Sequence, residues 1–222
     1  MPVNKETYLA INKELAKKHV TLVAVSKTKP VEDIFALYDL GQRDFGENYV
    51  QELVDKAAQL PKDIRWHFIG HLQTNKVKLI AGFVQLIHGV DSLKLLKEIN
   101  KQGEKSGRVI DCLLQIHIAQ EETKFGFDET ELNVSIKQLE SLQMTNARVC
   151  GLMGMASFTD NMSVIRKEFK RLKQIFDFHA KHQKPNFELQ ILSMGMSSDY
   201  RIAMEEGSNL VRIGSLLFGL RG

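Results

Sequence analysis

The stretch Thr21-Leu-Val-Ala-Val-Ser-Lys27 decides the fold of this 222-residue chain, because the pattern that it begins repeats along the rest of the sequence. It is a short apolar run of the kind that forms a buried β-strand. A helical pattern follows, with Pro30 at a helix-start position and Gly41 at its end. Seven further runs have the same β-strand character, and all but the last are followed by a helical pattern.

Alternation of strands and helices without a linker or a low-complexity tract predicts parallel βαβ units. The predicted strands cover 21–27, 44–48, 65–70, 84–91, 110–118, 148–155, 188–194 and 210–213. Eight units favour a closed (β/α)8 TIM barrel over an open flavodoxin-like or Rossmann sheet, and no G-x-G-x-x-G follows the first strand. An extra helix over 5–19 precedes the barrel and covers part of the gap after strand eight. We expect one domain, residues 1–222.

Composition points to small-molecule chemistry rather than to a charged macromolecular partner. The net charge is only +3, and 30 basic and 27 acidic residues are mixed along the chain, so no nucleic-acid or membrane binding is expected. Cys112 and Cys150 lie in apolar runs typical of packed, reduced thiols. The N-terminus has no apolar signal segment, and no run approaches the ~18 apolar residues of a membrane span. These features predict a cytoplasmic protein.

Active sites of such barrels lie at the C-terminal ends of the strands, and the polar residues there are concentrated in strands one, two, seven and eight. Lys27 leaves an apolar strand at that end, where a desolvated amine can form a Schiff base. The alternative is a lysine whose amine extends to solvent. Asn48 ends strand two and is expected either to hydrogen-bond a ligand or to cap the next helix.

The segments 193–198 and 212–215 follow strands seven and eight, where barrels commonly bind phosphate. Gly195 and Gly214 allow close backbone approach, and hydroxyls stand at Ser197, Ser198 and Ser215. The alternative is that Ser197 or Ser198 only caps a helix.

An amine, a phosphate cradle and an arginine around one barrel mouth predict a pocket for pyridoxal 5'-phosphate (PLP). Lys27 would form the Schiff base and Arg212 would lie near the ring nitrogen. A cation at that nitrogen disfavours its protonation, so the ring would be a weak electron sink.

Histidines offer two weaker hypotheses. His71 is a candidate general base, although a packed or loop histidine is the alternative. His67 and His71 stand four apart, but we expect them to span a strand and its loop, and no carboxylate or cysteine joins them at ligand spacing. We therefore predict no metal site.

Six motifs in order identify the chain as a member of a known family. They are Leu22-Val-Ala-Val-Ser-Lys-Thr-Lys-Pro30, Phe45-Gly-Glu-Asn-Tyr49, Trp66-His-Phe-Ile-Gly-His-Leu-Gln-Thr-Asn-Lys76, Gly151-Leu-Met-Gly-Met155, Leu192-Ser-Met-Gly-Met-Ser197 and Val211-Arg-Ile-Gly-Ser215. From about residue 20 onward the chain closely resembles the pyridoxal phosphate homeostasis protein family, which is similar to the N-terminal barrel of alanine racemase. The segment 122–126 also conforms to the family pattern.

The resemblance implies a fold-type III barrel with PLP on Lys27. It also implies that Arg212 faces the pyridine nitrogen and that Asn48 and Ser193 lie near the ring. The residues that it implies around the phosphate are Ser197, Gly214 and Ser215.

The resemblance favours a cofactor carrier over an enzyme. Racemases with this barrel use the lysine and a tyrosine from a separate β-domain of a partner subunit, for which this chain has no room. Of the residues at the mouth, only His71 is a candidate second base. We expect a monomer that buffers PLP and passes it to apo-enzymes, with no catalytic residue. The alternatives are a PLP-dependent amino-acid racemase of low activity and a Schiff-base aldolase acting on a phosphosugar.

Overall fold

The computed structural model describes residues 3–120, 125–142 and 144–219, and its centre is a closed barrel of eight parallel strands. Each strand pairs with the next in sequence, and the last pairs with the first. The strands are β1 Thr21–Val25, β2 Asp44–Glu47, β3 Arg65–Phe68, β4 Leu86–Val90, β5 Ile110–Ile116, β6 Ala147–Gly154, β7 Phe187–Ser193 and β8 Leu210–Ile213. The predicted (β/α)8 barrel is confirmed.

Helices alternate with the strands and surround the barrel. They are α1 Lys5–Ala16, α2 Val31–Tyr38, α3 Val50–Gln59, α4 Val77–Ile80, α5 Leu93–Ser106, α6 Glu129–Ser141, α7 Met162–Ala180, α8 Tyr200–Glu205 and α9 Ser215–Phe218. The helix predicted over 74–81 begins as a 3-10 turn, Thr74–Lys76. The helix predicted from residue 198 begins at Tyr200, because Asp199 accepts a hydrogen bond from the Met196 amide (2.6 Å) and closes a turn first.

The core has two layers, as the alternation of side chains along each strand requires. One layer lies between the strands and the helices. The other fills the barrel interior with Val23, Leu86, Leu113, Cys150, Met153 and Leu210. Both cysteines are free and buried, and burial raises the pKa of Cys150 to about 12, so these thiols pack as small apolar groups.

The N-terminal helix α1 closes the barrel beside its last strand. Tyr8, Ile11 and Leu15 are buried on one face of the helix. The amide of Asn4 donates to the carbonyl oxygen of Leu217 in α9 (2.8 Å), and Glu14 accepts from the Tyr200 hydroxyl (3.1 Å). The extra helix predicted before the barrel therefore fills the gap that the four-residue α9 leaves.

Within the three described ranges, no helix is both long and apolar enough to cross a membrane. The same ranges contain no group of three or more His, Cys, Asp or Glu side chains that could hold a metal ion.

Candidate functional site

A cleft of about 890 Å³ opens at the C-terminal ends of the strands, a size typical of small-molecule sites. Of the seven residues predicted for a site, six line it: Lys27, Asn48, Ser197, Arg212, Gly214 and Ser215. Ser193 lies beneath the cleft, fully buried, where its side chain contacts Arg212. Apolar groups of Val25, Ile69 and Met155 complete the wall.

Lys27 stands in a segment whose backbone is fixed on both sides. The Lys56 ammonium group of α3 donates to the carbonyl oxygen of Ser26 (2.7 Å), and the Thr28 amide donates to Glu52 (2.6 Å). Thr28 adopts a left-handed conformation (φ 62°), which turns the chain sharply after Lys27. These contacts hold the root of the half-buried Lys27 side chain at the cleft.

The same contacts belong to a buried ionic cluster behind β1 and β2. Lys56 Nζ lies 2.8 Å from Glu47 Oε1 and 2.7 Å from Glu52 Oε1, and the Ser26 hydroxyl donates to Glu47 (2.6 Å). Burial raises the pKa of Glu47 to about 7 against the opposing charge of Lys56. This cluster was not predicted from the sequence, because a lysine on an amphipathic helix is typical of a solvated face.

Arg212 projects from β8 into the floor of the cleft and is only 4% exposed. Its guanidinium donates to the Ser193 hydroxyl (2.6 Å), to the Ser193 carbonyl (3.1 Å) and to the Gly154 carbonyl (3.2 Å). Burial lowers its pKa to about 10, against the charge of Asp199. It therefore stays charged at neutral pH while being held mainly by neutral acceptors.

Asn48 does not cap the helix that follows it. The N-cap of α3 is Tyr49, and the Asn48 Oδ1 atom is buried without a hydrogen-bond partner. Such an atom at the wall of a cleft is where a bound group with a donor would restore the missing bond. The structure therefore excludes the capping alternative for Asn48, and contact with a ligand stays a prediction.

The serines and glycines after β7 and β8 come together on one side of the cleft. The Ser197 hydroxyl accepts from the Gly214 amide (3.2 Å), so the two loops are joined. A Cβ on Gly214 would stand 3.2 Å from the Val25 carbonyl oxygen, a tight contact that glycine avoids. Neither Ser197 nor Ser198 caps a helix, because the N-cap of α8 is Asp199.

His71 lies outside the cleft. Its Nδ1 stands 3.1 Å from Asp91 Oδ2, and its ring stacks on Phe125 with centroids 4.2 Å apart. It lines a separate groove with Gln73 and Thr74. His67 lies in β3 and His71 in the loop beyond it, as expected from their sequence context. Of the segment 122–126, residues 122–124 lie outside the described residues.

The fold and the cleft place the chain in a defined class of barrels. The family model "Alanine racemase, N-terminal domain" matches residues 6–222. A pyridoxal phosphate homeostasis protein of Aquifex aeolicus is 41% identical over 201 residues, which are 90% of this chain and 86% of that protein. The chain belongs to the family of pyridoxal phosphate homeostasis proteins.

Solved structures agree with this assignment. PipY of Synechococcus elongatus PCC7942 with PLP bound superimposes with a TM-score of 0.86 at 33% identity, over 96% of this chain and 99% of PipY. An alanine racemase of Clostridium difficile 630 superimposes with a TM-score of 0.75 at 15% identity, over the whole of this chain and 59% of the racemase. The second likeness is one of fold.

Proposed function

We propose that this protein binds PLP in the cleft, holds it reversibly as a Schiff base on Lys27 and serves PLP homeostasis. The observation that carries the proposal is the convergence on one cleft of an amine, a buried guanidinium and a serine-glycine cradle. Family membership, and a related structure with PLP bound, support the same cofactor. When bound, PLP supplies an aldehyde that reacts reversibly with amines and a ring that withdraws electrons.

The residues of the cleft fit the three parts of PLP. Lys27 would take the aldehyde carbon, and Ser197, Gly214 and Ser215 would hold the phosphate through hydroxyl and backbone donors. Arg212 would donate to the ring nitrogen, and Ser193 would support that guanidinium from below. Asn48 would use its amide group near the ring, where Oδ1 now lacks a partner.

Holding, rather than turnover, is the role that the cleft favours. A charged guanidinium at the ring nitrogen disfavours ring protonation and so weakens electron withdrawal. The ionisable side chains that line the described part of the cleft are Lys27, Lys29 and Arg212, and His71 lines a different groove. The two lysines are separated by one residue and leave the same strand end. Among the described residues of the cleft, two lysines from one strand end do not provide the two opposed bases that racemisation needs.

Absorbance separates this proposal from its rivals. After free PLP is removed by gel filtration, the purified protein should stay yellow with one PLP per chain, and the yellow form should not interconvert D- and L-amino acids. An aldolase would act on its phosphosugar while colourless. Racemisation by wild type that disappears in Lys27→Ala would contradict the carrier function and support a racemase.

We also propose that the carrier is a cytoplasmic monomer, built as one domain over residues 1–222, and that it passes PLP to apo-enzymes. The two free, buried thiols suit a reducing compartment. Light scattering should give the 25.3 kDa mass of one chain. An apo-enzyme mixed directly with the loaded protein should regain activity quickly. The same apo-enzyme, separated from the loaded protein by a dialysis membrane, receives only PLP released into the buffer and should regain activity more slowly.

A further inference from the structure

The barrel interior contains a row of polar side chains where barrels of this class pack branched apolar ones. The row is Asp44, His67, His88, Ser193 and Arg212. Three of these side chains each stand two positions along a strand from an interior residue: His88 from Leu86, Ser193 from Ile191 and Arg212 from Leu210. Buried polar groups are costly unless they are hydrogen-bonded, so this row needs a physical explanation.

Each member of the row contacts the next. Asp44 Oδ1 lies 3.0 Å from His67 Nε2, His67 Nδ1 lies 2.9 Å from His88 Nε2, and His88 Nδ1 lies 3.2 Å from Ser193 Oγ. Ser193 Oγ lies 2.6 Å from Arg212 Nη1. At the far end, Arg65 binds both oxygens of Asp44 and reaches the surface. We call these five residues the interior chain; it runs from the floor of the cleft to the opposite rim.

The carboxylate sets the direction of the first hydrogen bond, and the number of groups that are satisfied sets the direction of the others. Burial opposes ionisation of Asp44, but hydrogen bonds from His67 and Arg65 outweigh it and lower the Asp44 pKa to about 2. The carboxylate therefore accepts, and His67 carries a proton on Nε2. A His67 ring with a proton on Nε2 alone accepts at Nδ1, so His88 donates from Nε2 and accepts at Nδ1. Ser193 then donates to His88 and accepts from Arg212.

The opposite direction satisfies fewer groups. A proton on both nitrogens of His67 would make His88 donate to Ser193, whose oxygen already accepts from Arg212. The Ser193 proton would then lose its acceptor. Burial also lowers the pKa of His88 well below its ordinary value, so its ring stays neutral.

The direction has an electrostatic consequence for Arg212. Among the described residues, no carboxylate forms an ion pair with this buried guanidinium within 4.0 Å; Asp199 acts on it from farther away. Every N–H and O–H of the interior chain points away from Arg212, so lone pairs face the cation. Aligned dipoles thus stabilise a charge that no neighbouring anion neutralises.

We propose that His88 and His67 are positioning residues, which orient Ser193 as an acceptor and thereby hold the Arg212 guanidinium for the ring of the cofactor. The last step rests on the proposed function. The first step, in which the two histidines orient Ser193, does not rest on it, because it concerns the protein without PLP.

Nitrogen NMR of the histidine rings in the PLP-free protein tests the first step. We expect His67 and His88 to be neutral, each with its proton on Nε2. A proton on Nδ1 of His88, in either a neutral or a charged ring, would reverse the hydrogen bond between His88 and Ser193 and overturn the proposal. This outcome is independent of whether PLP binds.

Variants test the second step. His88→Leu keeps a similar volume and removes both contacts, so PLP affinity should fall about fivefold, the effect of one lost hydrogen bond, and the absorption maximum of bound PLP should move. His88→Gln keeps an acceptor and a donor and should restore most of both properties. His179→Leu, a buried histidine on α7 outside the barrel, is the matched control and should resemble wild type.

The outcomes separate the two proposals. Absence of PLP binding in wild type would overturn the proposed function and leave the NMR result to decide the hydrogen-bond direction. Binding in wild type with unchanged affinity and spectrum in His88→Leu would overturn the positioning role. Should His88→Leu fail to fold, Ser193→Ala, which removes the hydroxyl contact alone, must reproduce the fivefold loss or the role is wrong.

Discussion

At the scale of single residues, the chemistry of Lys27 depends on groups that never reach the cleft. Lys56 binds the carbonyl before Lys27, and its partner Glu52 binds the amide after it. Lys27 could be predicted from the sequence, because the position of the strand is enough to place an amine at its end. Lys56 could not be predicted, because a lysine on an amphipathic helix looks like a solvated residue until the helix is docked against β2.

Replacing Lys56 by Met should destabilise the fold by about 3 kcal/mol at pH 8, because it leaves the Glu47 carboxylate buried without its cation. Urea unfolding measures this free energy. Lys173→Met, which breaks the exposed pair with Asp177, should cost less than about 1 kcal/mol. Equal losses of unfolding free energy in the two variants would show that the buried cluster does not stabilise the fold more than an exposed ion pair.

The raised pKa of Glu47 predicts a pH dependence of stability. A carboxyl group with a pKa of about 7 when folded and an ordinary pKa when unfolded stabilises the fold while protonated, and this stability is lost as pH rises through 7. Between pH 5 and 7.5, wild type should lose about 2 kcal/mol more unfolding free energy than Glu47→Gln. The two proteins share every other ionisable group. A parallel pH dependence would contradict the burial effect.

At the scale of elements, strand ends meet so closely at the cleft that side chains are excluded. Gly70, just beyond β3, packs on the backbone of Asn48, just beyond β2; a Cβ there would stand 2.9 Å from the Asn48 Cα and closer still to its carbonyl oxygen. The order and type of the elements followed from hydrophobic periodicity. The start of α8 did not, because one side-chain contact from Asp199 set it.

Replacing Gly70 by Ala should displace Asn48, with a loss of about 2 kcal/mol in stability and weaker PLP binding. Gly82→Ala is the matched control, since a Cβ there would meet nothing within 4 Å, and its effect should stay within about 0.5 kcal/mol. Urea unfolding and PLP titration of both variants provide the comparison. Normal PLP binding by Gly70→Ala would remove Asn48 from the proposed site.

At the scale of the whole molecule, the pairing of β1 with β8 closes the barrel, and α1 packs beside this pair. α1 covers the position beside β8, where the described residues supply only the short α9. The sequence predicted the extra helix from the helical spacing of Tyr8, Ile11 and Leu15. It did not predict the interior chain, because His67 and His88 stand in different strands and the pairing of β3 with β4 brings His67 Nδ1 to 2.9 Å from His88 Nε2.

Leu15→Ala should lower the free energy of unfolding by about 3 kcal/mol, because Leu15 is fully buried under α1 and leaves a cavity. Leu9→Ala lies on the same helix but is 54% exposed, and it should change stability by less than about 0.5 kcal/mol. Both values come from urea unfolding. Similar values for the two variants would mean that α1 does not pack as described.

The central claim is that PLP is held on Lys27, and borohydride reduction tests it most directly, because reduction makes the linkage permanent. Wild type mixed with PLP, reduced and digested should carry one pyridoxyl group, on Lys27, and Lys27→Ala should carry none. Lys29→Ala, which removes the other lysine of the same cleft, should be labelled like wild type. An adduct that persists in Lys27→Ala, or no adduct in wild type, would contradict the account.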